Sequence, residues 1–310
     1  MIHVSPPVQA ALARGEPVVA LESTVLTHGL PRPDNLALGR RLEAVVREAG
    51  AVPATVAVIG GELRVGIDDD TMRSLAERDR VAKATLWNLA SLVARGDDAG
   101  TTVATTLHAA ARAGIAVFAT GGLGGVHLDP NDVSADLTAL AREPLVTVCS
   151  GPKSVLDVAA TLERLETAGV SVVGWRSDTL AGFLTPYTEL PLPVRCDDAD
   201  QVATLLHTQR DLGLAGGVVV SRPEPDGFER DALQALLDAA HDDARGADVR
   251  GKDVTPFLLR RLAERSNGAT VAVNLRVLEG NARLAAEIAI AVARQREIRA
   301  ASTSPSEVLA

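Results

Sequence analysis

Aromatic residues are almost missing from this chain: four Phe, two Trp and one Tyr make up 2% of it. Its core must therefore be filled by Ala, Val and Leu. Cysteine is scarce as well. Cys149 and Cys196 form no CxxC pair, which excludes a cysteine zinc cluster and suits a reducing cytoplasm. No stretch approaches the ~20 uninterrupted apolar residues of a membrane helix. The N-terminal MIHVSPPVQAALARGEP has no long apolar run behind basic residues, so no signal peptide is expected. Basic residues are outnumbered, 31 against 40 acidic ones, and the net charge of −9 argues against a nucleic-acid surface. A local basic pocket for a phosphate is still compatible with that balance. The 310 residues suffice for one large α/β domain or two small ones, with no need of disulfides or metals for stability.

What is present is an alternation of apolar runs and helical patterns. PVVALEST reads as a strand. Leu38, Leu42, Val45 and Ala49 then share one helix face, with Gly50 as a stop. PATVAVIGGELRVGI reads as a strand pair turning at Gly60-Gly61, and IAVFATGG as a buried strand that breaks at Gly121. SADLTALAR is a helix with Ser134 as its cap. PLVTVCS is a strand, followed by a helix expected from Lys153 to Ala168. Residues 228–246 and 252–265 are expected to be helical, and a last long helix to cover Asn274 to Arg296. Strands separated by helices imply an α/β fold, three layers α/β/α with a mostly parallel central sheet. No linker divides the chain. The expectation is a single catalytic domain over residues 1–297, with 298–310 as a disordered tail.

In such folds ligands bind beyond the carboxyl ends of the strands. Glu22, the glycine-rich stretch from Gly121 to His127, and Lys153 all fall at such ends. Each has an ordinary reading beside a functional one. Lys153 is either a lysine with its amine in water or a nucleophile whose pKa is pushed down by burial and by a helix N-terminus. Glu22 either caps backbone N–H groups or acts as a general acid or base. Lys83 has the pattern of a surface lysine. ATGGLGGVH is neither GxGxxG nor a P-loop. It is either a turn needing positive φ or a set of N–H groups for an anion. His127, Asp129, Asp132 and Asp136 lie within ten residues, either as a solvated acidic turn or as oxygen ligands for Mg²⁺ or Mn²⁺. Asn274 and Asn281 are two helical turns apart; one could reach a ligand, and a buried, satisfied amide is equally compatible.

Taken together, ALESTVLTHGLPRPDN, GAVPATVAVIGGELRVGI, GTTVATTLHAAARAGIAVFATGGLGGVH, DVSADL, CSGPKSVLD, GKDVTPFLL and VNLRVLEGNARLAAEIA resemble the pseudouridine-5′-phosphate glycosidase family, which includes indigoidine synthase A-like proteins. The matching strings span residue 17 to about 293 in the expected order. The resemblance implies a reversible reaction in which pseudouridine 5′-phosphate and water give ribose 5-phosphate and uracil. The bond cut joins C1′ to C5 of the base. It implies Lys153 as the nucleophile that forms a Schiff base and Glu22 as proton donor. Lys83, Val103, Ser134, Ala135, Asp136, His127 and Asn274 fall on substrate or active-site positions, and Asp132 on the metal-binding aspartate. The implied cofactor is Mn²⁺, one per subunit. The implied assembly is a cytoplasmic homotrimer acting on small molecules, with no nucleic acid and no membrane.

Two departures stand out. The family's VHRG is VHLD here, so Leu128 replaces an arginine and the loop before DVSAD is shorter; Pro152 replaces a small residue before the lysine. Alternatives to weigh are a C-glycosidase or C-glycoside synthase for another aglycone in a natural-product pathway, a Schiff-base aldolase, and a sugar-phosphate binding protein that tolerates loss of Lys153.

Overall fold

The computed structural model describes residues 2–129, 131–249 and 254–303. Its elements run in the order β1 (Ile2–Val4), α1 (Pro6–Ala13), β2 (Val18–Leu21), a π-helical turn (Val25–Gly29), α2 (Asp34–Glu48), β3 (Val52–Ile59), β4 (Glu62–Val65), α3 (Asp69–Ala76), β5 (Ala82–Ala84), α4 (Leu89–Arg95), β6 (Ala99–Thr101), α5 (Val103–Ala113) and β7 (Val117–Ala119). The second half continues with α6 (Ala135–Arg142), β8 (Val146–Cys149), α7 (Val158–Thr167), β9 (Ser171–Trp175), β10 (Arg195–Cys196), α8 (Ala199–Asp211), β11 (Val218–Ser221), α9 (Arg230–Gly246), α10 (Val254–Arg265) and α11 (Ala269–Thr303).

The strands form one sheet in the order β1-β4-β3-β2-β7-β8-β11-β9-β10, with β6 paired to β3 and β5 paired to β6. The pairs are parallel except the β3–β4 hairpin, which turns at Gly60-Gly61, and the β3–β6 contact. The central strands are buried on both faces, as a sheet covered by helices requires. Val18 and Ala20 of β2 face one apolar layer, with Phe118, Leu107 and Leu140; Val19 and Leu21 face the other, with Val146, Leu206 and Leu284. The expected three-layer architecture is what forms. A third apolar cluster sits to one side. There α9, α10 and the start of α11 pack Leu237, Phe257, Leu258 and Val277 around Val155, Leu156 and Phe183.

Two boundaries differ from expectation. The helix expected from Lys153 starts only at Val158, where the Asp157 carboxylate accepts from the Ala160 N–H at 2.9 Å. Lys153 therefore does not sit at the N-terminus of a helix. The last helix begins earlier and ends later than expected, so residues 298–303 belong to α11 and not to a loose tail. Residues 304–310 lie outside the described residues.

Candidate active site

Parallel pairing of β2, β7, β8 and β11 brings their carboxyl ends to one edge of the sheet. Glu22 directly follows β2. One carboxylate oxygen accepts from the Thr120 hydroxyl, just beyond β7, and the other from the Thr24 hydroxyl. Both oxygens are thereby fixed in place. Next to it, the Ser23 hydroxyl accepts from the Thr101 N–H at 2.9 Å, which draws the start of α5 towards Glu22.

The glycine-rich stretch continues the sheet beyond β7. Ser150 N–H donates to Gly121 C=O, Leu123 N–H to Gly151 C=O, and Lys153 N–H to Leu123 C=O, at 2.9 to 3.0 Å. This ladder explains why the chain does not coil at Lys153. It also explains how Pro152 is accommodated, because the bonds on either side use the Gly151 carbonyl and the Lys153 amide. Gly151 has φ of +83°, and a Cβ there would lie 2.0 Å from the Ala181 carbonyl oxygen, so no side chain fits. Beyond it, the Ser154 hydroxyl donates to Gly182 C=O at 2.6 Å. The Lys153 amine makes no hydrogen bond with any described residue.

Asp136 joins the glycine stretch to α5. Its Oδ1 accepts from Ala104 N–H at 3.0 Å and its Oδ2 from Gly124 N–H at 2.8 Å. A Cβ on Gly124 would lie 2.3 Å from the Ser134 hydroxyl, which caps α6 through the Asp136 N–H. Ala135 is the first residue of α6. Val103 opens α5 and is buried. Asn274 brings its amide oxygen beside Gly121, 3.3 Å from where a Cβ would stand.

Lys83 lies on β5, beside β6. Its surface is open to solvent, yet protein atoms crowd it, as suits a side chain in a cleft. Burial, then the positive charge of Lys153, holds its pKa below the usual lysine value; Glu22 and Asp136 oppose that shift. The structure thus brings Lys153, Glu22 and Asp136 each within electrostatic reach of Lys83. His28, on the π-helical turn, joins them. Protein atoms around it, then the Lys83 charge, lower its pKa from the ordinary histidine value. A cavity of about 310 Å³ lined by Arg112, Ile115, Glu143 and Arg210 opens at the opposite edge, before β7 and β8, and contains none of these groups.

Residues 7–291 match the family described as indigoidine synthase A like protein. The chain belongs to this family. A Thermus thermophilus relative named pseudouridine-5′-phosphate glycosidase is 52% identical over 278 residues, covering 90% of this chain and 98% of the relative. One of the same name from Salinispora tropica is 49% identical over 294 residues, covering 92% and 90%. Among solved structures, the prealnumycin C-glycosynthase AlnA in complex with ribulose 5-phosphate superposes with a TM-score of 0.90 at 34% identity, covering 96% of this chain and 99% of that one. An indigoidine synthase A-like protein from Thermotoga maritima gives 0.87 at 34% identity, covering 95% and 97%.

In this indigoidine synthase A-like chain, the loop before α6 holds the acidic residues Asp129 and Asp132. His127 N–H donates to Asp132 C=O, and Asp132 N–H to Asp129 C=O, both at 3.0 Å. The Asp129 carboxylate accepts from Asn131 and so shapes the turn. The Asp132 carboxylate accepts no hydrogen bond from any described residue and is free to ligate. Among the described residues no three acidic, histidine or cysteine side chains cluster as a metal cage. One free carboxylate fits a hard ion that keeps most of its waters, as Mg²⁺-like ions do.

Several groups in the cleft were not singled out from sequence. Thr24 and Thr120 hold Glu22, and His28 faces Lys83. The one signal for the threonines is their place within two residues of Glu22 or directly after a strand.

Proposed function

We propose that this chain is a pseudouridine-5′-phosphate glycosidase, converting pseudouridine 5′-phosphate and water reversibly to ribose 5-phosphate and uracil. The observation that carries it is that Glu22 and Lys153 follow parallel strands at the same edge of the sheet, each within electrostatic reach of Lys83. The names of the relatives point the same way.

The chemistry needs both groups. A carbon leaving group must be protonated, and C1′ needs a covalent acceptor. Glu22 gives a proton to the ring oxygen as the C1′–O bond opens. The Lys153 amine adds to C1′ and gives up a proton to the Glu22 carboxylate, which passes it to C5 of the base. The nitrogen lone pair then expels C5 as C1′=N forms, releasing uracil. Water hydrolyses the imine, restoring the amine and freeing ribose 5-phosphate. Lys83 suits the phosphate, near the start of α5, where Asp136 already takes the Ala104 N–H. Ser134, Ala135 and Asp136 shape the adjacent wall, and His127 and Asn274 border the sugar and base. Asp132 would hold Mn²⁺, which would order solvent and neutralise charge near the substrate.

Incubation with pseudouridine 5′-phosphate and Mn²⁺ tests this reading by the appearance of free uracil. No uracil, with trapping of ribose 5-phosphate by borohydride, would favour a second reading. That reading is C-glycoside synthesis or cleavage with another aglycone, and the likeness to the C-glycosynthase supports it. A cytoplasmic homotrimer is part of the proposal and rests on family resemblance; a stable monomer in sedimentation would refute it. No helix among the described residues is long and apolar enough to cross a membrane.

A further inference from the structure

Asn281, on α11, is completely buried, and the chemistry above gives it no task. Its amide nevertheless uses all its bonding positions. Nδ2 donates to Thr120 C=O at 2.8 Å and to Gly121 C=O at 3.2 Å. Oδ1 accepts from the Ser150 hydroxyl at 3.3 Å and from Arg222 Nη1 at 3.4 Å. These partners are the first residues beyond β7, β8 and β11. Thr120 is the residue whose hydroxyl holds Glu22, and Ser150 begins the ladder that ends on Lys153.

Arg222 is itself fixed. Its N–H donates to Cys149 C=O at 2.8 Å, and its Nη2 donates to the buried Glu224 carboxylate at 2.9 Å. A Cβ on Gly280 would lie 2.3 Å from Nη2, so glycine is what lets the guanidinium lie against α11. A buried, fully bonded network of this kind specifies one geometry.

We propose that Asn281 is a positioning residue. By tying the ends of β7, β8 and β11 to α11, it sets the spacing between the Glu22 carboxylate and the Lys153 amine. The proposal rests on reading those two as the reacting groups.

Asn281→Asp tests it. The variant keeps the shape and both acceptor bonds, with Arg222 beside the new charge, but presents oxygen to the two carbonyls. Its kcat for uracil release should fall about 10–100-fold, the scale of a small misplacement of reacting groups. KM should stay within about threefold, since no substrate contact is removed. The pH profile of kcat should shift, and trapping of ribose 5-phosphate on Lys153 by borohydride should slow. Ser150→Ala, which removes one bond without adding charge, should show the same pattern more weakly. It decides the matter if Asn281→Asp does not fold. Ala285→Gly weakens the same helix away from the network and should lower Tm without changing the pH profile. Wild-type kcat and pH profile in Asn281→Asp, or a loss that merely follows Tm as in Ala285→Gly, would overturn the proposal. Wild-type protein that traps ribose 5-phosphate but releases no uracil would fail the aglycone reading alone, and the variants are then compared by trapping rate.

Discussion

The two groups proposed to react are held in opposite ways. Both oxygens of Glu22 are gripped by hydroxyls, one local and one from a strand end far along the chain. Lys153 is gripped only at its backbone, by Leu123 C=O, and its amine has no hydrogen-bond partner among the described residues. A proton donor works best when its direction is fixed before the reaction starts. A nucleophile that must follow C1′ from a closed ring to an open imine needs a rigid root and a free tip. On the proposed reading, Glu22 and Lys153 supply one of each.

The strongest test of that contrast is Lys153→Ala. It should abolish uracil release and borohydride trapping of ribose 5-phosphate, leaving the fold intact because no described contact of the amine is lost. Trapping equal to wild type would put the nucleophile elsewhere.

Glu22→Gln should lower kcat by about 10²–10⁴-fold, the usual worth of a positioned acid or base. An effect confined to KM would make Glu22 a binding group and end the comparison.

The loop before α6 repeats the contrast on a smaller scale, with Asp129 tied by Asn131 and Asp132 free. Asp132→Ala should remove most Mn²⁺-dependent activity with Tm within a few degrees, whereas Asp129→Ala should keep activity. A metal titration of both variants reads this directly. Full activity in Asp132→Ala, or loss only in Asp129→Ala, would mean that the free carboxylate is not the metal ligand.

The smallest effect concerns Lys83. Its folded pKa lies below the usual value, so the folded chain binds the proton less readily than the unfolded one. The resulting penalty is complete below the folded pKa. It is relieved as pH rises through that value towards the ordinary lysine range. Lys83→Met should therefore raise Tm slightly at pH 7, and the gap to wild type should narrow in alkali. A lower Tm at neutral pH would show that the amine stabilises the empty cleft.

The strand ends carrying Glu22, Gly121 and Lys153 were legible because apolar runs stop there and polar or glycine residues begin. The assembly of those ends was not. The Thr120–Glu22 and Asn281–Thr120 bonds join residues far apart in sequence, and no local pattern encodes them. The start of α7 was misread for a related reason. KSVLDVAATLERL has helical spacing from its first residue, but Lys153 and Ser154 are claimed by Leu123 and Gly182, and the chain waits for Asp157 to cap. Strands β5, β6 and β10 are too short to show a period of their own, so their pairing comes from tertiary context. In α11 the paired asparagines divided as the two open readings allowed, with Asn281 satisfied inside and Asn274 beside Gly121.

Cys149, the last residue of β8, is completely buried, and burial pushes its thiol up to about 12. It thus stays protonated and unreactive while the sheet edge is closed. Alkylation at this position would count only molecules in which that edge has opened. The thiol is a built-in clock for local unfolding four residues before Lys153, and its ticking rate with and without ribose 5-phosphate would measure how firmly a bound sugar locks the site.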